Sequence, residues 1–160
     1  MTDLADSVDS LKRIMARPGM FASLFPETTD TDLADTMVDG LANAQLDGLL
    51  TTYTYDDVAG EVGPDLTPAQ IALVTMYAGA ILLRAELFNR KLHRRYEASG
   101  AVFEEDQATN VLRDLLKGLE GRIKAIVEVT SDAGAGAAFY MADAYVIRAI
   151  GGYHYDPVGW

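Results

Sequence analysis

The thirty residues from Thr67 to Tyr96 constrain this chain more than any other stretch. Thr67-Pro68-Ala69-Gln70 is a helix start written in sequence. The Thr67 hydroxyl can accept from the amide of Gln70, and the Gln70 side chain can reach back to the amide of Thr67. Pro68 sits at the first helical position, where its missing N–H is harmless. From Ile71 to Leu83 the run is apolar on every face except at Thr75. Such a helix must be buried on all sides. It then turns basic, with Arg84, Arg90, Lys91, Arg94 and Arg95 against one acid, Glu86. Cations suit a helix C-terminus, where the macrodipole is negative. At 1.5 Å per residue the helix is about 44 Å long, a core element at one end and a charged rod at the other. The apolar run meets Arg84 before the roughly 20 residues that a membrane span needs, so a buried core helix is expected.

The remaining chain must supply the layers that cover this helix. With 160 residues, 49% of them hydrophobic and 23% charged, it has the composition of one globular domain. It contains no cysteine, which excludes disulfides, thiol catalysis and thiolate metal sites. Residues 1–6 are acidic and lack the basic and apolar regions of a secretory signal, which places the expected protein in the cytoplasm. The net charge of −11 is unevenly spread: residues 1–65 carry 13 acids and 3 bases, whereas residues 66–95 carry 5 bases and 1 acid. So acidic a chain is not designed to hold nucleic acid through phosphates. Its segregated signs suit contact between a basic face and an acidic one.

Taken in order, residues 2–17 read as an amphipathic helix capped by Thr2, with Leu4, Val8, Leu11 and Met15 on one face and Pro18-Gly19 as its stop. Met20 to Phe25 is a short apolar stub suited to plugging the core. Thr29 to Asp32 opens a second helix whose core positions are Leu33, Met37, Leu41 and Ala44, with aspartates on the other face. Gly40 within it signals either close packing or simple weakness. Residues 51–66 form a long connection, beyond the usual 2–8 residues between helices, in which Thr51–Tyr55 suits a short strand. After the central helix, Gly100 marks a stop. Asp106 to Val129 is then a clean amphipathic helix, with Ala108, Val111, Leu112, Leu115, Leu119, Ile123, Ile126 and Val127 on its apolar side. The fold class expected is all-α, a bundle of about four helices over residues 1–130 with an extended, aromatic-rich arm over 131–160. That arm opens on a Gly/Ala linker composition and holds six of the chain's 14 aromatics in its last 22 residues. Such a tail either folds back over the bundle or reaches out to another chain, and its Tyr and Trp favour reaching out.

Motifs for chemistry are scarce. His93 and His154 lack cysteine partners and metal-site spacing, so neither a metal nor a cofactor is expected. His93 with Glu97 at i+4 reads as a surface pair. Gly134 and Gly136 fill two positions of a dinucleotide fingerprint, but Phe139 replaces the third glycine and no βαβ unit surrounds it. The adjacent acids Asp56-Asp57 and Glu104-Glu105 read as solvated or dipole-capping charges. No enzyme is expected.

The layout as a whole resembles the head-to-tail connector (adaptor) proteins of long-tailed bacteriophages. What carries the likeness is the order of elements over residues 30–130. An acidic second helix is followed by the Thr67-Pro68-Ala69-Gln70 helix running into Arg84 to Tyr96, a Gly turn with an acidic patch, the amphipathic helix around Val111 to Leu119, and a sparse aromatic tail. The resemblance implies a homo-oligomeric ring, dodecameric, beneath the portal protein and in the neck of the virion, reached after assembly in the host cytoplasm. Further connector or tail-terminator proteins would sit on its far side. The ring would enclose DNA without sequence-specific binding and without a membrane. Phe139, Tyr140, Tyr145, Ile147, Tyr153, Tyr155 and Trp160 match the position of the arm that grips the portal. Arg90, Arg94 and Arg95 are the candidates for contacts between subunits. The long 51–66 loop and the long tail depart from the pattern. Two other readings stand beside it: a helical oligomeric scaffold or regulatory interaction module, and an enzyme built on His93 with Glu86 or Glu97.

Overall fold

The central helix forms as its sequence dictates. In the computed structural model, which describes residues 2–16, 21–97 and 109–130 (backbone alone at 23 and 91–97), α4 runs Pro68–Glu97. The reciprocal cap is present: the Gln70 amide donates to Thr67 Oγ1 at 3.3 Å and the Thr67 amide donates to Gln70 Oε1 at 2.8 Å. Residues 73–80 are buried without a break, so the helix that is apolar all round is covered almost all round. Thr75 is fully buried, but its hydroxyl donates to the Ile71 carbonyl at 2.7 Å and leaves no polar atom unpaired.

Among the described residues, four further helical segments supply the cover. The first is α1, Val8–Met15, preceded by a 3-10 turn at Ala5–Ser7; α2 is the short Phe21–Leu24 and α3 is Asp30–Leu46. A last helix, α5, spans residues 109–130. Among α1 to α4 the most extensive contact is between α3 and α4. Leu33, Met37, Leu41 and Ala44 of α3 are at most 1% exposed, the face expected from their spacing. Gly40 lies at the crossing. A Cβ there would stand 2.7 Å from the Val74 carbonyl oxygen and 2.8 Å from the Ala78 nitrogen, so close packing is its reason. α2 and Phe25 close one end of the core, with the Phe21 and Phe25 rings stacked at 4.8 Å.

Both ends of α3 are built locally. At the start, the Asp32 amide donates to Thr29 Oγ1 while the Thr29 amide donates to Asp32 Oδ2 at 2.8 Å, a capping box with aspartate in the glutamate role. At the end, the Leu49 amide donates to the Ala44 carbonyl and that of Gly48 to Gln45, with Gly48 at φ +78°. That is the Schellman pattern, and only glycine takes its left-handed residue without cost. Leu50 follows at φ +53°, a conformation costing a leucine about 1–2 kcal/mol, and its side chain is 1% exposed in the core.

The expected all-α class is corrected by a small sheet. Three antiparallel strands, β1 (Thr2–Asp3), β2 (Thr54–Asp56) and β3 (Glu61–Gly63), lie in the order β1-β3-β2. β2 and β3 form a hairpin, and β1 pairs with β3 in the register Thr2 to Val62. Thr2 is therefore a strand residue and not the cap of the first helix. Its hydroxyl accepts from the Leu66 amide at 2.9 Å and donates to Asp65 at 3.3 Å. Val62, wholly buried, anchors the sheet in the core. The fold is thus mostly helical with a three-stranded sheet stitching the start of the chain to the 51–66 connection. Residues 131–160, and with them the proposed arm, lie outside the described residues.

Two expectations about the helices need adjusting. Val111, counted on the apolar face of α5, is 51% exposed. The buried stripe runs through Leu112, Leu119 and Ile126, and Val111 sits about 100° of helical rotation from Leu112, at the margin. Pro68–Arg90 is also long and apolar enough to cross a membrane by length and composition, contrary to the count from Ile71 to Leu83, though 56% of its most apolar window is buried by the rest of the chain. The helix that crosses it at Gly40, α3, exposes Asp30, Asp32, Asp35 and Asp39. Hydrocarbon does not accept such a face, which argues for a core helix.

Candidate interaction surfaces

Beyond Leu83 the character of α4 changes from core to surface. Arg84 is exposed and its Nε and Nη2 both donate to Glu120 Oε1, at 3.0 and 2.8 Å, tying α4 to α5. Phe88, four residues on, is 60% exposed. Arg90, expected to face another subunit, is held by its own chain: Nε donates to Glu86 Oε1 at 2.7 Å and Nη2 to the Leu24 carbonyl at 3.0 Å. That pair is about one-fifth exposed. One job of Arg90 is therefore to fasten the α2 stub to the rod. Lys91, His93, Arg94 and Arg95 continue on helical backbone, their side chains outside the described set. The seven arm residues Phe139, Tyr140, Tyr145, Ile147, Tyr153, Tyr155 and Trp160, and His154, also lie outside it.

The opposite sign is collected on α3. Asp30, Asp32, Asp35, Asp39 and Asp47 are all exposed, because the stripe Leu33, Met37, Leu41 turns the other way. Lys12 takes part of this charge through Asp30, at 2.6 Å. The Asp32 carboxyl is held below the usual carboxylate range by the hydrogen bonds it accepts from the Thr29 hydroxyl and amide.

A groove of about 760 Å³ opens between the end of α3, the middle of α4 and the second half of α5. Ile81, Ile123 and Val127 give it a half-buried apolar floor, and Arg84 and Glu120 bridge part of its rim. At its α3 side the Tyr77 hydroxyl donates to Asp47 Oδ2 at 2.6 Å. Tyr77 is 6% exposed, and burial, followed by the bond and charge of Asp47, pushes its phenol well above the ordinary value of 10.0. It is a hydrogen-bond donor at any physiological pH, not a base. Sequence reasoning missed this groove. The available signal was a tyrosine inside an otherwise apolar helix, since a buried phenol needs a partner.

A second polar knot fixes the 51–66 connection. The Tyr53 hydroxyl donates to Gln70 Oε1 at 3.0 Å, and Gln45 Nε2 donates to the Tyr53 carbonyl at 2.7 Å. Gln70 thereby serves two roles, capping α4 and holding the loop against it.

Among the described residues no group of three or more His, Cys, Asp or Glu side chains stands close enough to hold a metal. Among the described residues the features that stand out are an acidic helix face and an apolar groove with a charged rim. No family model matches the chain, and neither does any curated protein or any solved structure.

Proposed function

We propose that the chain is a structural virion protein, a head-to-tail adaptor. In this reading it forms a homo-oligomeric, dodecameric ring under the portal, joins capsid to tail around the DNA channel, and carries out no catalysis. The observation that carries the reading is the segregation of charge along packed helices. α3 exposes five aspartates, counting Asp47 at its cap, while the second half of α4 carries five of the chain's 13 basic residues. Opposite faces on different elements suit a head-to-tail contact between identical copies, and such a contact closes into a ring when its rotation allows. A strongly acidic chain also suits a channel through which DNA must slide, since like charge removes the phosphate-binding contribution. The order of helices adds the likeness to connector proteins.

In this reading the aromatic arm is the grip. Tyr and Trp bury large areas with few rotatable bonds, and such residues dominate interface energetics. Removing residues 139–160 is expected to leave the helical circular dichroism intact and to abolish capture of the protein by portal assemblies in a pull-down. Undiminished capture would overturn the adaptor reading. A discrete dimer or tetramer in solution, with no affinity for portal, would favour the helical scaffold instead.

A further inference from the structure

The α3–α4–α5 groove has an apolar floor that no described residue fills, and its position along the chain points to an occupant. Its α5 edge runs from Glu120 to Glu128, about 12 Å of helix. The described part of α5 ends at residue 130, two positions beyond that edge. We propose that in the free protein the groove is the docking site for this chain's own segment Phe139–Ile147; on the adaptor reading the same residues would leave the groove to bind the portal.

Reach, chemistry and tethering support this occupant. Residues 131–138 are Ser, Asp, Gly and Ala only, and eight residues extend to about 26–29 Å, twice the length of the groove edge. The segment they deliver begins Phe139-Tyr140 and continues to Tyr145 and Ile147, three aromatics that each bury about 150–250 Å² when covered. The groove volume of about 760 Å³ falls within the range of pockets that enclose small ligands, about 300–1,000 Å³. Its mixed lining suits amphipathic rings: Ile81, Ile123 and Val127 for their faces, Asp47 and Glu120 for phenol hydroxyls, and Arg84 for the π-system. A short tether holds its end at an effective concentration near the millimolar range. Even a weak site is therefore filled by its own chain, whereas a second copy at micromolar concentration would need far higher affinity. The proposal stands on groove and connectivity and does not require the adaptor reading; portal capture tests that reading separately.

The absence of native cysteine makes the test clean. In the full-length protein, Ala142→Cys is combined with Lys124→Cys, on the groove rim, or with Gly118→Cys. Gly118 is exposed on α5, with no atom within 4 Å of the place a Cβ would occupy. By helical rotation it lies on the side of α5 opposite Ile123 and Val127, about 18 Å along the helix from residue 130 and so within reach of the same tether. Mild oxidation is followed on non-reducing gels at low micromolar protein. The expected result is a monomeric cross-link at Lys124→Cys forming about tenfold or more faster than at Gly118→Cys, a ratio set by local effective concentration. Equal rates at the two positions overturn groove docking. A cross-linked dimer in place of the monomeric product overturns docking within the chain and assigns the groove to the arm of a second copy.

Discussion

Tyr77 and Asp47 show how much one side-chain pair can decide. Asp47 caps the C-terminus of α3, the end where the helix dipole disfavours an acid. It is placed there against local preference, and the Tyr77 hydroxyl, 2.6 Å away, supplies the reason. Tyr77→Phe should cost about 1–2 kcal/mol at neutral pH, since the bond is to a charged group but Asp47 is exposed and regains water. The sign of the pH dependence follows from the direction of the shift. The folded phenol titrates above its unfolded value of 10.0, so its contribution is complete below pH 10 and declines as pH rises beyond it. The loss has a limiting slope of about 1.4 kcal/mol per pH unit. Urea titrations between pH 7 and 11.5 should show the gap between wild type and Tyr77→Phe narrowing above pH 10. A gap that stays constant would mean that the phenol titrates alike in both states.

At the scale of elements, the close approach of α3 to α4 depends on a missing side chain. Gly40 lets α3 approach the backbone of α4 at Val74 and Ala78. Gly40→Ala, favourable for the isolated helix, should destabilise the protein by about 1–3 kcal/mol through overpacking. Gly118, exposed on α5 with open space around it, should respond in the opposite sense: Gly118→Ala should add about 0.5–1 kcal/mol of helix propensity. Chemical denaturation of the two variants checks the contrast, and equal signs would remove close packing as the reason for Gly40. From sequence the glycine was ambiguous because a weak helix and a tight crossing both show the same residue. The cap of α4 was legible because it is a contact between residues three apart, whereas at α3 several polar side chains between Thr29 and Asp32 competed for the same role. The sheet was not legible. Its strands are two or three residues long, too short for an alternating pattern, and Thr2 meets Val62 only because the intervening helices fold. The opening Thr-Asp-Leu reads locally as a helix cap, and tertiary pairing overrode it. The groove was illegible for a related reason: Asp47, Tyr77 and Ile123 sit on three elements, and no spacing along the chain brings them together.

At the scale of the molecule, α4 divides its work along its length, and two substitutions separate the halves. Leu83 is wholly buried at the last apolar position before the basic stretch. Leu83→Asp places an unpaired charge in the core, a change that costs at least several kcal/mol, so the helical signal and the cooperative melt should both disappear. Arg94 lies eleven residues further on, past the last buried positions in the described part of the helix. Arg94→Glu should change stability by no more than about 0.5 kcal/mol while abolishing assembly in sedimentation. Lost assembly alone does not identify the surface that Arg94 meets. If that surface is the acidic face of α3, the double reversal Asp35→Lys with Asp39→Lys should restore assembly to Arg94→Glu and by itself disrupt the wild type. Both effects should weaken as added salt shortens the screening length from about 8 Å toward 3 Å. Loss of folding in Arg94→Glu would erase the division between core and contact. A folded Arg94→Glu that assembles normally would remove the basic end of α4 from the interface, and with it the charge argument for the ring.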